Sequence, residues 1–283
     1  MNLFPFLTLI CCLLLPSCLA IFGGSYVTDQ TDYRFQVSIR LKHFESSYGN
    51  GYMCSGTIIS KYSILTSAQC VYHYQDNKIR DPKEFRIVMG SLWRSKFYPT
   101  LLERDIAKIT IHKSFNSDSS NHENDLAILR LVTALPQVAR DIAPIELRAS
   151  NNTNNLIGKI SSWGDTNPEM PTEFSDVLKK IDVSVQTADK CRNLIGTLAP
   201  GQLCVTTRTN GSTCYGDLGA PFIVDRQLVG FVSEEKACGL TSDQPIVLTS
   251  VAYHKRWIDA NAGVNLKSFS VLTTLLAVVA LIN

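Results

Sequence analysis

Cys214-Tyr215-Gly216-Asp217-Leu218-Gly219-Ala220-Pro221 is the stretch that decides how this chain folds. Short apolar blocks surround it, each set off by polar turns. Residues 202–205 lie before it; residues 222–224, 228–233 and 246–251 follow. Further upstream the same texture recurs at 57–59, 64–66, 85–89, 106–111, 126–131, 159–163 and 178–185. Residues 35–41 (Phe-Gln-Val-Ser-Ile-Arg-Leu) alternate cleanly, the pattern of a strand with one wet face. Long helical periodicity is almost absent. Many short strands at turn-separated intervals predict an all-β barrel or sandwich.

The chain has 283 residues, of which 45% are hydrophobic and 18% charged, with a formal net charge of +2. That balance leaves no electrostatic footprint for nucleic acid and no long-range field for an acidic partner. Residues 1–20 read as a secretory signal peptide: 4–15 are apolar, and Cys18-Leu19-Ala20 offers small residues for cleavage, although no positive charge precedes the apolar core. At the other end, 269–282 form an uncharged apolar run with no basic tail after it. A spanning helix needs about 20 residues. The run fits better as a glycosylphosphatidylinositol attachment signal, with the small residues Asn261-Ala262-Gly263 ahead of a short polar spacer. Asn261 is the expected attachment residue and Asp259 an alternative; a tail packed on the barrel is a third reading. The expected division is therefore signal peptide 1–20, folded domain 21–261 and attachment signal 262–283.

Nine cysteines are present; Cys11, Cys12 and Cys18 would leave with the signal peptide. The remaining six suit an oxidising compartment and allow fifteen pairings by counting alone. A zinc site is the other reading, but no C-x-x-C or histidine-rich cluster supports it. Glycosylation sequons occur at Asn151-Asn152-Thr153 and Asn210-Gly211-Ser212.

Residues 216–221 resemble the Gly-Asp-Ser-Gly-Gly-Pro nucleophile loop of trypsin-like serine proteases, with Leu218 at the serine position. Leu65-Thr66-Ser67-Ala68-Gln69-Cys70 resembles that family's Thr-Ala-Ala-His-Cys motif, with Gln69 at the histidine. Glu123-Asn124-Asp125-Leu126-Ala127-Ile128-Leu129 resembles its Asn-Asp-Ile-Ala-Leu-Leu segment, placing Asp125 at the aspartate. Over about residues 21–258, the resemblance implies two six-stranded Greek-key barrels with the site between them. It also implies a short C-terminal helix near 253–258, anchored through Trp257. It selects the disulfides Cys54–Cys70, Cys191–Cys204 and Cys214–Cys238. Active relatives insert an N-terminal ammonium beside the aspartate that precedes the nucleophile. Here those groups would be Ile21, freed by signal cleavage after Ala20, and Asp217; the alternative is a mobile N-terminus. Some relatives bind calcium after the strand at 85–90, but 89–99 contain no Asp or Glu, so no metal and no cofactor is expected.

The substitutions remove the chemistry. Leu218 has no nucleophilic atom or lone pair to activate. Gln69 is a neutral amide, far from the near-neutral pKa that a general base requires. What is left is an oxyanion-hole remnant, the amides of Gly216 and Leu218, which contributes little without a nucleophile. His43, His73, His112, His122 and His254 lie in polar surroundings and read as surface residues rather than replacements. Asp125 reads as a structural anion held by the Gln69 amide and the Ser233 hydroxyl. By resemblance, Ser212 is the base of the specificity pocket. The wall that the family writes Ser-Trp-Gly reads Ser233-Glu234-Glu235, and its Pro-Gly-Val reads Pro245-Ile246-Val247. Side chains at Glu235 and Ile246 would fill the slot that glycines leave open.

The reading that follows is a catalytically inactive homologue, extracellular and secreted or anchored at the outer membrane face. Its role would be binding protein, as a decoy or cofactor for active proteases or their substrates. The alternative is an endopeptidase with residual or atypical activity, and a small-ligand module is a third. Oligomeric state, partner and process have no signature in the sequence.

Overall fold

The computed structural model describes residues 21–117, 121–137, 139–166, 173–209, 211–234 and 245–263. The first half is built from β1 (Gln36–Leu41), β2 (Tyr52–Ser60), β3 (Ser63–Thr66), β4 (Phe85–Met89), β5 (Leu102–Arg104), β6 (Ile106–Ile111) and β7 (Ala127–Leu131). These seven strands hydrogen-bond in the order β5-β4-β1-β2-β3-β7-β6, a curled sheet whose two ends are not joined by a ladder. The second half contains β8 (Ile157–Ser162), β9 (Lys179–Val185), β10 (Gln202–Thr207), β11 (Pro221–Val224), β12 (Gln227–Val232) and β13 (Ile246–Ser250). Here the order β9-β8-β11-β12-β13-β10 returns to β9 through a β9–β10 ladder, so six strands close a barrel. One barrel is closed and its partner is a curled half-barrel sheet, an arrangement that fits the expected all-β fold.

Two helices complete it. α1 (Ala188–Ile195) begins at Thr187, whose side chain accepts from the Lys190 amide. Its eight residues are too few to show a period in the sequence, so only this cap announces it. α2 (Val251–Asn261) is the expected terminal helix, capped by the Ser250 hydroxyl and longer at both ends than 253–258. The Ser63 hydroxyl donates to the Ala262 carbonyl, which fixes the end of α2 against the first sheet.

Strand β1 departs from expectation. All six of its residues are buried, including Gln36, Ser38 and Arg40. Gln36 of its polar face meets the second half of the molecule, while Ser38 and Arg40 are paired within the first. Gln36 donates to Ser161 O at 3.2 Å and accepts from Ser161 Oγ at 2.8 Å. Buried polar groups survive folding when they are paired in this way. A polar stripe along a strand can thus be buried against paired groups instead of facing solvent.

Disulfides Cys54–Cys70 and Cys191–Cys204 form as the resemblance implied. Cys214 is disulfide-bonded too; Cys238 lies outside the described residues.

Candidate functional site

The site forms where the two halves meet. After β3 the chain passes Ser67 and Ala68 into a single turn at Gln69–Val71, which Cys54–Cys70 pins to β2. Asp125 stands two residues ahead of β7, directly after Asn124, whose φ is +53°. Thr249 of β13 donates to the Asp125 carbonyl at 2.9 Å, so the second barrel holds the backbone here.

The Asp125 carboxylate is fully buried. Its Oδ1 accepts from Ser67 Oγ at 2.8 Å and from the Gln69 amide at 3.0 Å. Its Oδ2 accepts from Ser67 Oγ at 2.7 Å and from Gln69 Nε2 at 2.9 Å. The second Nε2 hydrogen goes to Ser233 O at 2.8 Å, so one side-chain amide bridges both halves. Gln69 therefore holds Asp125 as expected. The hydroxyl partner is a correction: Ser67 supplies it, because the buried Ser233 Oγ makes no hydrogen bond of ordinary geometry. Ser233 stands near enough only to help favour the anion. Burial pushes the Asp125 pKa above 3.8, and the donors pull it back only in part. Ser67 was legible: it replaces an alanine of the motif and adds a hydroxyl two residues before Gln69.

The histidines need a second correction. His254 is 5% exposed, packed inside α2 with Nδ1 at 2.9 Å from Ser250 O. Burial lowers its pKa, and that of His112 beside it. In a helix contacting the sheets, a polar sequence neighbourhood does not ensure a wet position. His43 is exposed, and His73 and His122 are half-buried.

The loop before β11 keeps its shape through backbone contacts. Gly216 has φ +82°, and a Cβ there would fall 2.8 Å from the Phe174 ring. Its carbonyl accepts from the buried Tyr52 hydroxyl at 2.7 Å, a residue that sequence reasoning missed two places before Cys54. The Leu218 carbonyl accepts from the Ser55 amide at 3.0 Å, and its side chain is 7% exposed in the apolar core. Asp217 is fully buried and accepts from the Cys214 amide at 2.7 Å and the Gly164 amide at 3.1 Å.

The trypsin family model matches residues 21–258. The chain belongs to the trypsin family. Among curated relatives it is 29% identical to trypsin zeta of Drosophila erecta, over 84% of each chain. Serine protease SP24D of Anopheles gambiae is 30% identical, over 74% of this chain and 69% of that one. In fold it resembles neuropsin, a serine protease expressed in the limbic system of mouse brain. That likeness has a TM-score of 0.72 at 20% identity and covers 85% of this chain and 99% of that one.

Within this trypsin fold, Ile21 is fully buried with Ile160, Ile181 and Ala220 in the apolar core of the second barrel. Ser212 pairs with Phe22 as an isolated bridge. Ile246 is 3% exposed and belongs to the same core, while Glu234 is half-buried. A cavity of about 270 Å³ is lined by Glu234, Val247, Asn121, His122, Thr197 and Gln202, among others. Neither Ser212 nor Ile246 lines it. Glu235 and Asn210 lie outside the described residues, as do 1–20, the expected signal peptide, and 264–283 of the expected attachment signal. Asn151 is exposed on a surface loop, and Asn261 ends α2 with Nδ2 donating to Trp257 O at 2.8 Å. No group of three metal-ligating side chains occurs among the described residues.

Proposed function

We propose that this trypsin-family domain is not a peptidase and works by binding protein. The observation that carries the reading is the Gln69 side chain. It occupies the base position, and its Nε2 is engaged by Asp125 and Ser233. Such an amide takes no proton from a nucleophile, and the leucine at 218 offers none to give. Asp125 then serves as a satisfied anion under a non-reacting bridge. The amides of Gly216 and Leu218 would be the remnant of an oxyanion site with no attacking atom beside it.

Secretion through the leader at 1–20 and anchoring near Asn261 are part of the same proposal. They suit a disulfide-bonded domain at the outer cell face. A decoy or cofactor for active proteases is the role that suits an unreactive copy of a protease surface.

The test is purified protein challenged with a serine-directed fluorophosphonate and a mixed peptide library, beside the double reversion Leu218→Ser/Gln69→His. Wild type is expected to show neither labelling nor cleavage, and the reverted protein to label weakly. Turnover by wild type at the rate of an ordinary digestive protease would end the proposal.

A further inference from the structure

Trp93, Phe97 and Tyr98, three exposed aromatic side chains, share the loop between β4 and β5, and Phe97 is 67% exposed. Apolar residues scattered singly over a surface need no explanation; grouped on one loop they mark a contact site. From Ser91 to Leu101 the sequence carries the cations Arg94 and Lys96 and no acid.

The stem of this loop is fastened. Arg94, 9% exposed, donates to Ser175 O at 2.9 Å, Gly49 O at 2.6 Å and Phe174 O at 3.1 Å. It also pairs with Asp176 at 3.1 Å. Buried Arg40 donates to the Arg94 carbonyl at 2.8 Å, and Trp93 bridges to Val177. Tyr48, on the adjoining loop, meets the Phe97 ring edge-on at 5.7 Å between centroids. The aromatic tip is therefore presented on a stem that spans both halves of the molecule.

The acidic groups nearby already have cations of their own. Glu45 pairs with Arg40 and Arg86, Glu103 with Arg86, and Asp176 with Arg94. Lys96 has no acidic partner among the described residues; its ammonium rests over the Trp93 ring, 3.2 Å from the centroid.

We infer that the loop at 91–101 is a docking surface for an acidic segment of a partner protein. An extended peptide lays an aromatic or aliphatic side chain against Phe97 and Tyr98 and sets a carboxylate beside Lys96. The fastened stem leaves little to order on binding, aromatic anchors dominate such contacts, and the unpaired cation selects the sign of the partner. This deepens the protein-binding reading and rests on it.

The probe is a fluorescein-labelled synthetic peptide alternating Glu with Phe and Leu, beside the same peptide with every Glu changed to Lys, titrated against the full secreted chain. The Glu peptide is expected to bind saturably and the Lys peptide at least about tenfold more weakly, with binding falling as salt rises. Phe97→Ala is expected to weaken binding about tenfold at unchanged melting temperature, since the side chain is exposed. Lys96→Glu is expected to reverse the preference. Equal binding of both peptides, or indifference to both substitutions, would overturn the inference. So would a Phe97-dependent dimer in sedimentation velocity, or Phe97-dependent binding to neutral phosphatidylcholine vesicles. Fluorophosphonate labelling of wild type would instead sink the non-catalytic reading, so the two failures are told apart.

Discussion

Asp125 and Asp217 are both fully buried at one site, yet different parts of the chain hold them. Asp125 draws on two side chains, Ser67 and Gln69, and one amide. Asp217 takes backbone amides of Cys214 and Gly164. A Cβ at Gly164 would lie 2.1 Å from its Oδ1, so the chain path itself is fitted to that carboxylate. Side-chain donors can be exchanged one residue at a time, and an amide can stand in for an imidazole. A backbone cradle has no such freedom. On the proposed reading, the contrast teaches why position 69 can hold a glutamine beside Asp125 while the backbone around Asp217 stays fixed.

The strongest way to break the contrast is Asp217→Ala. It strands two buried amides at once and should cost about 3–4 kcal/mol, read as a lowered urea midpoint. Gln69→Ala should cost less, about 1–2 kcal/mol, because the position is half-buried and water can replace part of the lost donor. If the two losses came out equal, the distinction between backbone and side-chain holding would fail.

The smallest effect is a pH dependence. The folded Asp125 carboxyl has a pKa raised above 3.8 by burial, so the folded chain keeps its proton where the unfolded chain has released it. Stability from this group is fully present below the unfolded pKa and is lost as pH rises through the folded one. The urea midpoint of wild type, relative to Asp125→Asn, should therefore fall as pH climbs from about 4. A midpoint difference that widens in favour of wild type would show that the donors outweigh desolvation.

Much of this was legible in the residues. The strand blocks at 85–89 and 106–111 are the observed β4 and β6, and motif spacing brought Gln69 and Asp125 into contact as read. What escaped were features fixed by packing between halves. Gln36 on the polar face of β1 met Ser161 of the second sheet, and His254 turned inward from α2. Periodicity reports that a face is polar, and it is silent on what covers it. Ser67 could have been found from the motif, since a serine replacing alanine beside a buried aspartate needs a partner. Tyr52 could not, because its acceptor, Gly216 O, is 164 residues away.

The Ser63–Ala262 hydrogen bond ties the carboxyl end of the domain to its first sheet. Ala262 is 1% exposed, and its carbonyl is held by a side chain at the start of β3. If the chain is cut after Asn261, as proposed above, the enzyme must reach a bond one residue from this clasp before it closes, or wait for the last helical turn to fray. On that proposal, maturation and folding would compete for the same short stretch of chain, and the faster would decide which form of the protein accumulates.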